Sequence, residues 1–161
     1  GVYTEAMQQM ILAFKHGQTE LDVVLAPLLD AALEGSLFRD RIDLLVPVPL
    51  HWTRRLARGY NQSHVLAKQL KHPTARICTD LVRVRRTRVQ PAVVTPAARA
   101  RNVKGAFAVR SDHRFAGRSL CLIDDIKTSG ATLNECARTL KEAGATNVYA
   151  LVLAVAGQNH P

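Results

Sequence analysis

The chain has 161 residues, 47% of them hydrophobic and 22% charged, with a formal net charge of +9. That length predicts one domain over residues 1–161 with a real core, and the composition excludes a disordered or fibrous chain. No apolar run approaches the roughly 20 residues that cross a bilayer, and no signal-peptide pattern is visible. The sequence opens on Gly1 and runs almost directly into a helical pattern, so it reads as a fragment or a processed chain. Cys78, Cys121 and Cys136 are scattered without metal-ligand spacing. They predict reduced thiols in the cytoplasm, two of them in the core. Charge is unevenly spread. Residues 44–111 hold 14 of the 22 Lys and Arg residues but only one of the 13 acids, Asp80. Positive potential gathered in that third predicts an anionic partner there, pyrophosphate or nucleic acid.

Residues 4–14 predict a helix capped by Thr4, with Met7, Met10, Ile11 and Phe14 on one face and Gly17 as its stop. Residues 21–33 predict a second helix, apolar at Leu21, Val24, Leu25, Leu28, Leu29 and Leu33, in which Pro27 either sets the first turn or kinks it. His16 reads as a solvated helix-end histidine. Residues 42–49 predict a strand that leaves its sheet through Val46-Pro47-Val48-Pro49, since prolines at alternate positions stop ladder pairing on the N–H side. Arg54, Arg55 and Arg58 follow, just before Gly59. Guanidinium forks match phosphate oxygens, so these three are candidate pyrophosphate contacts; the plain alternative is a solvated basic turn. Asn61 predicts the cap of a helix carrying Val65, Leu66, Gln69 and Leu70. Trp52 and Tyr60 could stack on a base, although aromatics at a core edge more often simply pack.

Residues 81–85 alternate and predict a strand with basic residues on one face, and residues 106–110 resume a strand. The stretch between them lacks acids and carries Arg86, Arg99, Arg101 and Lys104. A loop of that length is uncommon in a compact domain unless it is a lid or a binding loop. Its own charge would hold it open until an anion arrives, and closure over a reacting centre would exclude water. Residues 114–118 predict a tight turn.

The chain converges on residues 120–133. Leu120-Cys121-Leu122-Ile123 is a short apolar run without alternation, which predicts a strand of a parallel sheet buried on both faces. Asp124 and Asp125 follow, then Lys127-Thr128-Ser129-Gly130-Ala131-Thr132, then a helical stripe of Leu133, Ala137 and Leu140. Residues 148–155 form a second apolar run. The unit therefore reads strand, turn, helix, strand. Such a turn offers backbone N–H groups, a positive dipole end and three hydroxyls to an anion. It is not a Walker loop, because no Gly-Lys-Ser/Thr stands at the required spacing. Two carboxylates would repel phosphate, so they face something else: vicinal hydroxyls of a ribose or a hydrated Mg²⁺.

This segment resembles the 5-phosphoribosyl-1-pyrophosphate (PRPP) binding motif of type I phosphoribosyltransferases: four apolar residues, two acids, then a Thr/Ser-Gly turn. In the purine-salvage branch the position of Thr128 is usually an acid, so Thr128 departs from that branch. Val46-Pro47-Val48-Pro49-Leu50-His51, Arg54-Arg55-Leu56 with Arg58-Gly59-Tyr60-Asn61-Gln62, Arg85-Arg86-Thr87 with Gln90, and Arg101-Asn102-Val103-Lys104-Gly105-Ala106-Phe107 extend the match. Together they resemble the ComF-type, competence-associated family of phosphoribosyltransferase-like proteins over residues 14–155. Members of that family usually carry an N-terminal four-cysteine zinc module, which this sequence lacks.

The resemblance implies an α/β fold: a central, mostly parallel sheet with helices on both faces and a hood or flexible flap from residues 81–110. It implies that Asp124 and Asp125 hold the ribose 2- and 3-hydroxyls and, indirectly, Mg²⁺. Lys127, Thr128, Ser129, Gly130, Ala131 and Thr132 would hold the 5-phosphate. Arg54, Arg55 and Arg58 would meet the pyrophosphate, and Arg83, Arg86, Arg101 and Lys104 would reach in from the flap. The implied activity is transfer of phosphoribosyl from PRPP to a nucleophile with release of pyrophosphate. No general base stands out, which suits an amine such as ammonia, or no turnover at all. The other implied role is PRPP sensing by a protein that handles single-stranded DNA. A regulator on the same fold, as in the purine repressor branch, would need a helix-turn-helix that this sequence does not show.

Overall fold

The computed structural model describes residues 5–87, 95–110 and 115–156. In chain order, α1 (Glu5–Lys15) and α2 (Asp22–Glu34) lead into β1 (Leu44–Pro47), followed by α3 (Trp52–Arg58), α4 (Gln62–Gln69) and β2 (Arg76–Ile77). Next come β3 (Leu81–Arg83), α5 (Pro96–Val103) and β4 (Phe107–Val109), then β5 (Ser119–Lys127), α6 (Ala131–Glu142) and β6 (Asn147–Val155). The central sheet runs β2-β1-β5-β6, every neighbouring pair parallel. β3 and β4 pair antiparallel in a second sheet of two strands, which with α5 forms the hood.

Both faces of the central sheet are covered, which is why its strands read as unbroken apolar runs. Successive side chains of a strand point to opposite faces. Leu45, Cys121, Ile123, Leu151 and Leu153 face one way and pack against Ile11, Phe14, Leu25, Leu29 and Leu66 of α1, α2 and α4. Leu44, Val46, Leu120 and Leu122 face the other way, against Leu133, Cys136 and Leu140 of α6 and Leu81 and Phe107 of the hood. Each fully buried aliphatic or aromatic side chain stabilises the fold by roughly 1.5–3 kcal/mol relative to exposure. All three cysteines are buried, one more than expected.

The helical expectations hold with shifted ends. α2 begins at Asp22, and Pro27 lies inside it, past the first turn. The helix buries only the stripe Leu25, Ala26, Leu29 and Leu33, leaving Val24 and Leu28 about half exposed. Asn61 caps α4 as expected, its Oδ1 accepting from Ser63 N–H at 3.2 Å. The expected long loop between the hood strands contains α5. Thr95 Oγ1 accepts from Ala98 N–H at 3.1 Å, and Pro96 occupies the first helical turn, where its missing N–H costs nothing. Thr4, residues 88–94 of the expected flap and the start of the expected turn at 114–118 lie outside the described residues. No helix among the described residues is long and apolar enough to cross a membrane.

Candidate functional site

In the strand order β2-β1-β5-β6, the chain leaves β1 toward one edge and later returns to pair on its other side. Open parallel sheets bind ligands at such a switch point, outside the carboxyl ends of the two central strands. Three segments meet here. β1 delivers His51 and α3, β5 delivers the turn at 128–130 before α6, and the first turn of α4 brings Gln62 and Ser63 against the end of β5.

Asp124 and Asp125 occupy the end of β5 and engage different side chains. Strand alternation sends them to opposite sides. Asp124 Oδ1 accepts from Ser63 Oγ at 3.1 Å and from the Asp125 N–H at 3.0 Å. Burial, and then the neighbouring Asp125 carboxylate, push the Asp124 carboxyl up to about 7. Asp125 is buried, its Oδ2 2.9 Å from Lys15 Nζ and 3.5 Å from Gln62 Nε2, and its Oδ1 accepts from Ile126 N–H at 2.8 Å. Of the two acids expected to hold ribose hydroxyls, Asp124 is partly open, and Asp125 is buried against Lys15 of α1 and Gln62 of α4. Buried Gln62 also carries an amide oxygen with no partner among the described residues, next to this pair.

The turn after β5 has the expected form. Gly130 precedes α6 at φ 74°, a left-handed conformation that strains any residue with a Cβ, and a Cβ there would come within 3.3 Å of the Lys127 side chain. Gly130, at the N-cap of α6, has no side chain to cap it, and Ser129 Oγ accepts from Ala131 N–H at 3.4 Å. Lys127 and Thr128 are exposed, Ser129 and Thr132 partly so, while Gly130 and Ala131 are buried. The turn thus leaves the hydroxyl residues Thr128, Ser129 and Thr132 at least partly exposed beside a buried helix start.

α3 separates the three candidate arginines. Arg54 and Arg58 are four residues apart, share a helix face and line a hollow of about 430 Å³ with Lys15 and His16. Arg55 points into a larger hollow of about 760 Å³ on the other side, lined also by Trp52, Tyr60, His64, Lys68 and Arg83. From the hood, Arg83 lies over the Phe107 ring at 5.2 Å and donates to Thr87 Oγ1. Arg54 donates to the Thr87 carbonyl at 3.3 Å. Burial, then Arg58 and Arg86, lower the Arg54 pKa; burial, then Arg54, lower that of Arg83. Among the described residues none of Arg54, Arg55, Arg58, Arg83 and Arg86 forms an ion pair. An anion placed among them would relieve this cationic crowding. Arg101 and Lys104 are not part of it. Both are exposed at the end of α5, where Gly105 N–H donates to Glu135 Oε1 at 2.6 Å and Arg85 donates to the Asn102 and Lys104 carbonyls.

Sequence reasoning missed Lys15, Gln62, Ser63 and His51. His51 caps α3: its Nδ1 accepts from Thr53 N–H at 3.4 Å and lies 2.9 Å from Thr53 Oγ1. An acceptor at Nδ1 leaves the ring hydrogen on Nε2. Burial, then Arg83, Arg86 and Arg54, lower the His51 pKa, so the ring is neutral at pH 7. A cap immediately before a helix of seven residues was the available signal.

No family model matches the chain. Among curated proteins, competence protein F of Haemophilus influenzae is 32% identical over 161 residues, covering 96% of this chain and 70% of that protein. The chain belongs to the competence protein F family. Competence protein ComFC of Bacillus subtilis is 29% identical to this family member over 143 residues, 88% of the chain and 56% of that protein. The DNA utilization protein YhgH of Salmonella typhi is 36% identical over 108 residues, 66% of the chain and 46% of that protein. The chain thus spans about half the length of these two relatives. Among solved structures, the purine phosphoribosyltransferase from Pyrococcus horikoshii overlays 84% of this competence protein F family member with a TM-score of 0.46 and 13% identity, over 73% of its own length. A Trypanosoma cruzi hypoxanthine phosphoribosyltransferase overlays 90% of it with a TM-score of 0.48 and 10% identity, over 70% of its own length. The α/β class expected from the motif, a parallel sheet covered on both faces with the acid pair at the end of β5, is the class found.

Proposed function

We propose that this chain binds PRPP at the carboxyl ends of β1 and β5 and transfers its phosphoribosyl group to an amine nucleophile, releasing pyrophosphate. The observation that supports this most is the turn at 127–132, with Gly130 left-handed at the start of α6 and Asp124 at the end of the strand before it. The 5-phosphate takes the helix-start N–H groups and the hydroxyls of Thr128, Ser129 and Thr132. Asp124, with Oδ1 fixed by Ser63, offers Oδ2 to a ribose hydroxyl. Arg54 and Arg58 neutralise the pyrophosphate as the bond to the anomeric carbon breaks, and Arg83 and Arg86 join them from the hood. Neutral His51, among three of these guanidiniums, is a hydrogen-bond donor through Nε2.

Mg²⁺ fits this arrangement as a hydrated ion carried by the substrate rather than caged by protein. Among the described residues no group of three or more His, Cys, Asp or Glu side chains could hold a metal, and Asp125 is occupied by Lys15. Asp124 Oδ2 is the carboxylate oxygen left to meet its water shell. When bound, the ion would offset charge on the departing pyrophosphate. Calorimetric titration of PRPP with Mg²⁺, with ribose 5-phosphate as control, tests the reading. Binding of PRPP that Asp124→Asn abolishes supports it, and heat indistinguishable from buffer would sink it.

A second reading, single-stranded DNA handling with PRPP sensed rather than consumed, is favoured by the larger hollow. Its cations are interleaved with Trp52, 63% exposed, and with Tyr60, whose buried hydroxyl has no partner among the described residues; Arg83 Nε is likewise unpartnered. Bases stacking on Trp52 and phosphates on Arg55 and Lys68 would use those groups. This reading expects affinity for an oligonucleotide that falls steeply with salt. Indifference to salt would remove it.

A further inference from the structure

The second acid of the motif has a partner that the motif does not provide for. Asp125, its side chain 9% exposed, uses both oxygens within the protein: Oδ1 on the Ile126 N–H, Oδ2 on Lys15 Nζ and Gln62 Nε2. Lys15 is the last residue of α1, and its side chain is 24% exposed. It stands in the wall of the smaller hollow, where His16, Arg54 and Arg58 complete a ring of basic groups. Asp125 is the acid that reaches this ring, and it engages Lys15 alone among the described ion pairs. The guanidiniums of Arg54 and Arg58 stay unneutralised.

We propose that this hollow between α1 and α3 receives the diphosphate end of the ligand, and that Lys15 is one of its contacts, held in position by Asp125. An ammonium has three N–H donors. Lys15 keeps one on Asp125 and gives another to the diphosphate, so binding leaves no buried carboxylate unpaired. Two linked phosphate groups carry several negative charges, and α1 supplies Lys15 and α3 supplies Arg54 and Arg58 to the same hollow. The single 5-phosphate, by contrast, is served by the turn before α6. The acid pair thereby divides its work: Asp124 toward the sugar, Asp125 toward the leaving group through Lys15. Arg55 has no part in this, because it opens into the other hollow. The direction of the ligand rests on the PRPP reading; the anion site itself does not.

The test is calorimetric titration of the full chain with magnesium pyrophosphate and, separately, with ribose 5-phosphate. Lys15→Met keeps the stem and removes the charge. It is expected to weaken pyrophosphate by about tenfold or more, the size of one lost charge-assisted contact, and to leave ribose 5-phosphate within about twofold. Lys15→Arg is expected to restore most of the loss. Thermal melts accompany each variant, and the double variant Lys15→Met with Asp125→Asn removes both charges together should the single change unfold the chain. Pyrophosphate binding that survives both variants unchanged overturns the proposal, as does equal loss of both ligands in a folded variant. If the unaltered chain binds pyrophosphate through Lys15 but not ribose 5-phosphate, the hollow stands and the PRPP reading falls. If it binds ribose 5-phosphate and no pyrophosphate, the hollow falls alone; if it binds neither, both fall.

Discussion

The two sides of α3 carry nearly the same charge and differ in what accompanies it. Arg54 and Arg58 share their hollow with Lys15, His16, Gly17 and Ala57, a surface of cations and small residues without an aromatic ring. Arg55, one position along the helix, shares its hollow with Trp52, Tyr60 and Leu50 as well as His64, Lys68 and Arg110. Positive charge attracts any polyanion, and its neighbours select which one. Cations alone suit a compact diphosphate, while cations between rings suit a strand whose bases stack. A run of arginines read as one patch is thus two.

The largest effect is expected at Asp124, where the PRPP reading puts the ribose. Asp124→Asn is expected to lower PRPP affinity by about a hundredfold, since it removes a charged acceptor from a partly dry site. Calorimetry reads this, and an unchanged isotherm would place the ribose elsewhere. Next come reciprocal double variants across α3. Arg54→Ala with Arg58→Ala should cost about tenfold for each arginine removed in PRPP affinity and little in oligonucleotide affinity, and Trp52→Ala with Arg55→Ala should do the reverse. If either pair weakens both ligands equally, the two sides form one site. A finer version uses salt: replacing Arg55 and Lys68 by Ala should flatten the slope of log K against log salt for an oligonucleotide by about 1.4.

Two smaller effects concern stability. The Asp124 carboxyl sits at about 7 in the folded chain against an ordinary 3.8. Between about pH 4 and pH 7 the native state therefore holds a proton that the unfolded chain has released, and its stability contribution is lost as pH rises through that window. Asp124→Asn should make the free protein more stable at pH 8 by about 1–2 kcal/mol, after discounting for solvent screening, and flatten this slope in urea titrations. Such a gain would mark a site kept at a cost for its ligand. Gly130→Ala should destabilise by about 1 kcal/mol, from the left-handed backbone, and urea titration again measures it.

The sheet was legible because each central strand is buried on two faces, and the turn at 127–132 because its residue types serve one geometry. The separation of Asp124 from Asp125 was legible too: a period of two puts adjacent strand residues on opposite faces, but the motif invites reading them as a pair. The same holds for Arg54 and Arg55 on α3, where neighbours in sequence differ by about 100° around the helix. α5 was hidden by its charge. Thr95-Pro96 signalled a helix start, yet a stretch without acids suggested an open loop. Lys15 could not be found at all, since nothing in α1 announces that its last residue meets a strand 110 positions away.

Cys136 has no solvent access at all and sits in the cluster that joins the hood to α6 and β5, close enough to Asp124 and Arg83 that both charges act on its thiol. Burial, and then the Asp124 charge, raise its pKa well above the ordinary value. A thiol so sealed resists alkylation for as long as the hood packs against α6, so the rate at which Cys136 is alkylated is expected to report how firmly the hood is held.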